Sequence, residues 1–294
     1  MSLADRYAPL RLHPELFEQA WDGQLHAPLL HALRQPNATA VRQLLRQVTP
    51  GVFSFELFSP SLCDRIAEEL EHYAASGLPA ERPNSMNNYG LILNSIGLRP
   101  AMDRLQRSVF QPLAELLYPS HAHRGFTGHH SFTVRYKADE DLGLDVHTDD
   151  SDVTVNVCLG REFSGARLTI CGDSRTPTHR QFFAAYEHVR GRARSHLGSR
   201  RRGADAMAAG ERLNVIVWNQ NAHHRASADY VNKRPYLAEV APPDPRCLSY
   251  THDRDYGQFK DYPAGREDFT ARGWCPPAFA CYDSMDPVLA HDEL

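Results

Sequence analysis

The sequence predicts a mainly β core of the jelly-roll kind behind an α-helical N-terminal half. Three observations carry that expectation. Apolar residues recur at helical spacing up to about residue 118, the period changes to two from about Ser131, and most of the later segments have no helical pattern between them. Short strands joined by Gly- and Asp-containing turns suit an antiparallel sandwich or jelly roll rather than a parallel α/β sheet.

In chain order, Leu16, Phe17, Trp21 and Leu25 form the first helical stripe, and Val41, Leu44, Leu45 and Val48 the second. Leu62, Ile66, Leu70 and Tyr73 follow a helix start at Ser59 and Ser61, and Met102, Leu105, Val109, Leu113 and Leu117 make a fourth stripe. The Pro-, Asn- and Ser-rich stretch from Gly77 to Tyr89 reads as a loop. Period-two segments then run through Phe132, Val134 and Tyr136, through Val153 to Leu159, through Leu213 to Val217, and from Tyr236 to Val240. The expected division is a helical segment over 1–50, a catalytic domain over 51–241 with helices in 59–118 and the β core in 129–241, and a C-terminal tail over 242–294. APPDPR after Val240 ends the sheet, and the tail is expected to wrap the core or lie partly disordered.

With 32 basic and 36 acidic residues the net charge is −4, which disfavours a polyanionic partner and suits a small-molecule or protein substrate. The six cysteines contain no C-x-x-C pair and are too sparse for a disulfide scaffold, so a reducing, cytoplasmic setting is expected. No signal-like apolar run opens the chain and no stretch is long enough for a membrane span. The final HDEL is a retention address only in a chain that has entered the endoplasmic reticulum, and is read as coincidence.

The chemistry concentrates in HTDDSDVTVNVCLG, residues 147–160. In an extended chain residues two apart face one way, so His147 and Asp149 would present an imidazole and a carboxylate together at the start of a strand. That is two thirds of the 2-His-1-carboxylate triad which holds iron(II) with open positions; alone, H-x-D is equally a polar turn. In GERLNVIVW, Arg212 shares a strand face with Ile216 and Trp218, and a guanidinium on an apolar face needs an anion. A carboxylate ligand and a structural ion pair both answer that need.

The order Tyr136, H-x-D, a T-x-N-x-x-L-G strand, F-S-G at Phe163 to Gly165, then G-x-R and an apolar strand ending in Trp resembles the prolyl- and lysyl-hydroxylase branch of the iron(II)/2-oxoglutarate oxygenases. Within it, the chain is most similar to the 2-oxoglutarate and iron-dependent oxygenase domain-containing proteins, over roughly Gly51 to Val240. The resemblance implies a double-stranded β-helix, with His147 and Asp149 as catalytic iron ligands, Arg212 as the clamp for 2-oxoglutarate, Tyr136 assisting it, and Asn156 on the strand that lines the site. It further implies iron(II), 2-oxoglutarate as cosubstrate, oxygen, optional ascorbate, and hydroxylation of an organic or protein substrate with release of succinate and CO2.

One position departs from that pattern. The second iron histidine of the branch lies ten residues before the cosubstrate arginine, where this chain has Arg202. A guanidinium offers donors and no lone pair, and beside a divalent ion at about 5 Å and an effective dielectric near 20 it would repel by roughly 6–7 kcal/mol. Three resolutions are open: His196 substitutes as ligand, Arg202 swings outward, or Arg202 pairs with Asp149 in a metal-free site. The last would make the chain a catalytically silent ligand-binding or interaction module. The arginines at 190, 192, 194, 200, 201 and 202 are expected to form a solvated rim at the mouth of the barrel.

Overall fold

The computed structural model describes residues 1–249, apart from 19–20, 36, 138–139, 161 and 233–238, together with Asp255 and Phe259. The expected strand at Tyr236–Val240, most of the tail, Cys275, Cys281 and HDEL therefore fall almost wholly outside the described residues.

Eleven strands are described: β1 Arg46–Thr49, β2 Val52–Glu56, β3 Gly128–Lys137, β4 Leu144–His147, β5 Val153–Gly160, β6 Phe163–Gly165, β7 Leu168–Asp173, β8 Phe182–Tyr186, β9 Arg192–Leu197, β10 Arg200–Ala204 and β11 Met207–Gln220. They form two antiparallel sheets. One runs β1-β2-β9-β5-β11-β3, with β6 also on β11; the other runs β4-β10-β7-β8. Side chains from both sheets meet in one cavity, Tyr136, Asn156 and Arg212 from the first and Leu144, His147, Leu168 and Arg202 from the second. The core is thus a double-stranded β-helix.

The N-terminal helices close the back of the larger sheet. Ser59 caps the helix Pro60–Ala75 by accepting from the Leu62 amide at 3.1 Å, and Pro60 stands where its missing N–H costs nothing. The buried face of that helix, Leu62, Cys63, Ile66, Leu70 and Tyr73, joins one continuous apolar cluster reaching from Tyr7 through Val155, Val157 and Val215 to Val217. The stripe from Met102 to Leu117 is helical throughout, with a wider π turn at Gln106–Phe110 just before Pro112. Gln111 donates there to the Gln106 carbonyl, a five-residue step, ahead of a proline that has no N–H to give.

Three expectations need correction. The second helical stripe stops at Gln43, and Val48 lies on β1. The cysteines are not all reduced: Cys171 on β7 and Cys247 form a disulfide 76 residues apart, while Cys63 and Cys158 are free and buried. A pairing at that separation leaves no local spacing signal. Finally, the arginine cluster is not a solvated rim, because Arg194, Arg201 and Arg202 are 1%, 2% and 6% exposed. The others bind locally, Arg190 to Asp64, Arg192 to Glu56, and Arg200 to the carbonyls of Pro50 and Cys171. No helix among the described residues is long and apolar enough to cross a membrane.

Candidate active site

The larger sheet supplies one wall of the cavity through strict alternation. Arg212 stands opposite Tyr136 in the β11–β3 register, Ile216 opposite both Phe132 and Asn156, and Trp218 opposite His130 and Thr154. Residues opposite one another on neighbouring strands point to the same face, so Tyr136, Arg212, Asn156, Phe132, Ile216 and Trp218 all reach the interior. The cavity is partly open, with about 450 Å³ of empty space among its lining residues, open solvent included.

At one end lies Arg212, 2% exposed. Its guanidinium carbon sits 4.4 Å from the Tyr136 ring centroid, one Nη donates to the Ala166 carbonyl, and its Nε has no hydrogen-bond partner. Burial pushes its pKa down, against the opposing pull of Tyr136. Asn156 accepts from Asn214 Nδ2 at 2.6 Å, so its amide nitrogen is the end left for the cavity.

At the other end lie His147, Asp149 and Arg202. His147 is the last residue of β4 rather than the first of a strand, and Asp149 occupies the turn before β5. They nevertheless converge, with His147 Nε2 at 3.8 Å from Asp149 Oδ1. His147 Nδ1 lies 2.6 Å from the Asp145 carbonyl, to which it donates, so Nε2 is the lone-pair nitrogen. Asp149 is fixed by its own amide on the Gly198 carbonyl at 2.9 Å and by Thr154 Oγ1, which donates to Oδ2. Gly198 makes that approach feasible, since a Cβ there would stand 1.9 Å from the Ser151 carbonyl oxygen.

Arg202 stands directly opposite His147 in the β10–β4 register, and its Nη2 forms an ion pair with Asp149 Oδ1. This ion pair is the contact named in the third resolution. His196 does not line the cavity: Nδ1 donates to the Leu197 carbonyl at 2.8 Å and Nε2 lies 3.5 Å from Arg194. Burial and the nearby Arg202 hold it well below the ordinary histidine pKa. No group of three His, Cys, Asp or Glu side chains able to hold a metal occurs among the described residues. With two protein donors, one of them engaged by a guanidinium, the residues present do not fit an iron centre in this arrangement. They do fit a carboxylate ligand at Arg212.

Several cavity residues carried no sequence signal. Asn84, Met86 and Asn87 come from the loop after the Pro60–Ala75 helix and cover the site; Asn84 accepts from the amides of Met86 and Asn87 at 2.8 Å, and Asn87 Nδ2 donates to Tyr136 Oη at 3.3 Å. Trp218, which the sequence places on the strand face of Arg212, brings a buried Nε1–H with no hydrogen-bond partner. Thr154 could have been found, since it stands two residues before Asn156 on the same strand face.

Comparison with known proteins places this architecture. A family model described as the OGFOD2-like domain matches residues 3–123. The 2-oxoglutarate and iron-dependent oxygenase domain-containing protein 2 of Danio rerio is 32% identical over 241 residues, covering 79% of this chain and 69% of the relative. The chain belongs to this family. Its Arabidopsis thaliana member ICU11 is 32% identical over 230 residues, covering 75% of this chain and 58% of the relative. The chain spans about six tenths of the length of several such relatives. Among solved structures, a Trichoplax adhaerens prolyl hydroxylase in complex with a hypoxia inducible factor peptide fragment is 15% identical, with a TM-score of 0.49 over 72% of this chain and 98% of that one. The relatives' names speak of 2-oxoglutarate and iron, and not of ascorbate.

Proposed function

We propose that this member of the family is a 2-oxoglutarate-dependent oxygenase that hydroxylates an organic or protein substrate with oxygen, converting 2-oxoglutarate into succinate and CO2. One observation carries the reading: Arg212, buried and with an unpartnered Nε, closes the end of a cavity that also holds His147 and Asp149. A planar guanidinium in that position is suited to the distal carboxylate of the cosubstrate, with Tyr136 stacked against it and Asn156 beside the chain of the ligand. Among the described residues of the cavity, His147 and Asp149 are the two donors suited to iron(II). In this arrangement Arg202 engages Asp149 Oδ1. The loop residues Asn84, Met86 and Asn87 and the indole N–H of Trp218 are placed to meet a substrate and to exclude water.

The test is calorimetric and chemical. 2-Oxoglutarate is titrated into the protein and into Arg212→Ala with manganese(II) present, and succinate release is then followed with iron(II) and oxygen. Loss of at least about 30-fold in affinity is expected, since a charge-assisted bidentate contact disappears. Equal affinity in the variant removes the main support for the reading.

A further inference from the structure

The interior of the roll holds more positive charge than its carboxylates balance. Arg194 on β9 stands opposite Asn156 in the β9–β5 register and therefore faces the same way. It is 1% exposed, its Nε and one Nη make no hydrogen bond, and its other Nη has only the His196 ring nitrogen at 3.5 Å. Burial, then the neighbouring Arg202, push its pKa down to about 9, so the site resists the charge; a guanidinium nonetheless stays protonated at neutral pH. Arg212 has its unpartnered Nε, and Arg202 has one carboxylate, Asp149. Asp149 is the sole carboxylate among the described residues lining the cavity. Burial and arginine neighbours hold His188 and His196 far below their ordinary value, so these two add no positive charge.

Arg202 and Arg212 line the cavity against one carboxylate, and Arg194 lies outside that lining, next to Asn156, with two unpartnered nitrogens of its own, so positive charge exceeds negative in a region screened from water. Buried charge of this kind is costly unless a counter-ion arrives. The matching ligand is a dianion.

We propose that the cavity captures a small dicarboxylate of the 2-oxo acid class without a metal, one carboxylate on Arg212 and the other on the Arg202 fork where it is not used by Asp149. Arg194 supplies the second uncompensated charge behind Asn156. The inference rests on the reading of Arg212 as a 2-oxoglutarate clamp. It adds that Arg202 substitutes a fixed organic cation for the ion that would otherwise attract the second carboxylate. A guanidinium has five N–H donors, enough for Asp149 and a ligand together.

The experiment is calorimetry on the full chain in EDTA, with 2-oxoglutarate and with 2-oxopentanoate, which lacks the second carboxylate. 2-Oxoglutarate is expected to bind the native protein in EDTA, and 2-oxopentanoate to bind at least about 30-fold more weakly. Arg202→Gln and Arg194→Met should each weaken the EDTA affinity by about tenfold or more, whereas Arg202→Lys, which keeps the charge, should retain most of it. In Arg202→His, binding should become dependent on added manganese(II). Binding of 2-oxoglutarate to the native protein only when manganese(II) is present overturns metal-free capture and leaves the proposed function standing. Absence of binding under both conditions overturns both. Unchanged EDTA affinity in both Arg202→Gln and Arg194→Met, or equal affinity for the two acids, overturns the roles assigned to those arginines.

Discussion

Arg201 and Arg202 are neighbours on β10, equally withdrawn from water, and opposite in circumstance. Alternation sends Arg201 to the outer side of the smaller sheet, where it donates to Asp255 at 2.7 Å and to the Cys247 carbonyl at 2.8 Å. Asp255 also takes Arg180 at 2.7 Å and the Ser249 amide at 2.9 Å, and Cys247 is tied to Cys171 by the disulfide. On that side both arginines meet a carboxylate of the protein, and the network and disulfide tie Cys247, Ser249 and Asp255 to the roll. Arg202 goes inward, to share a cavity with Arg212 in which Asp149 is the single carboxylate among the described lining residues, and Arg194 stands just outside that lining. Burial alone does not separate a structural arginine from a ligand-binding one; the inventory of partners does.

The comparison is most easily broken at Asp255. Asp255→Ala leaves Arg180 and Arg201 without their shared carboxylate and should lower stability by about 3–5 kcal/mol, read from urea unfolding, while 2-oxoglutarate affinity changes little. A stability loss below about 1 kcal/mol would mean the outer network is not the structural one. Removing the disulfide with Cys171→Ala and Cys247→Ala acts on the same side. By freeing a long loop of the unfolded chain it should cost about 2–4 kcal/mol, and addition of reductant to the native protein should give the same shift. If reductant leaves the unfolding midpoint unmoved, the two sulfurs are not bonded in solution.

The inner side answers in the other currency. Arg212→Ala should cost about 2–3 kcal/mol of 2-oxoglutarate binding and leave the unfolding free energy unchanged or raised, because an incompletely compensated buried cation is removed. A large loss of stability instead would make Arg212 a second Arg201 and its open Nε incidental.

The same contrast explains what could be read from the residues in advance. Tyr136, His147, Asp149, Asn156, Arg202 and Arg212 all line one cavity, because period-two alternation converts sequence parity into a shared face and H-x-D needs only two residues of chain. His147 ending β4 rather than starting a strand made no difference to that convergence. The Asn84–Asn87 cover was not legible, since a loop without periodicity does not declare what it folds over. Nor was the burial of Arg194 and Arg201, because an arginine-rich stretch has the composition of a surface and only the partners, Asp255 far along the chain or a ligand, reveal otherwise. Cys171 and Cys247 were hidden by their separation in the same way.

The smallest effect sharpens the comparison through pH. His188 is half-buried, its Nδ1 is 3.3 Å from Asn214 Nδ2, and its buried Nε2 has no hydrogen-bond partner. Burial first, and the positive charges of Arg212 and Arg194 second, hold its pKa well below the ordinary 6.5. The unfolded chain therefore takes up a proton near pH 6.5 that the folded chain refuses. Below that pH the unfolded state binds more protons, so stability falls as the solution is acidified, by at most about 1.4 kcal/mol for each pH unit from this one group. His188→Gln keeps an amide able to meet Asn214 and removes the titration. The measurement is the unfolding free energy of both proteins from pH 7.5 to pH 5, where the native curve should fall more steeply than the variant curve. A bound dicarboxylate would partly offset the arginine charges that depress His188 and should reduce the difference between the two curves. Parallel curves in the absence of ligand would mean that the interior tolerates another positive charge, and the excess attributed to Arg194 and Arg212 would then have to be neutralised by a group other than a ligand.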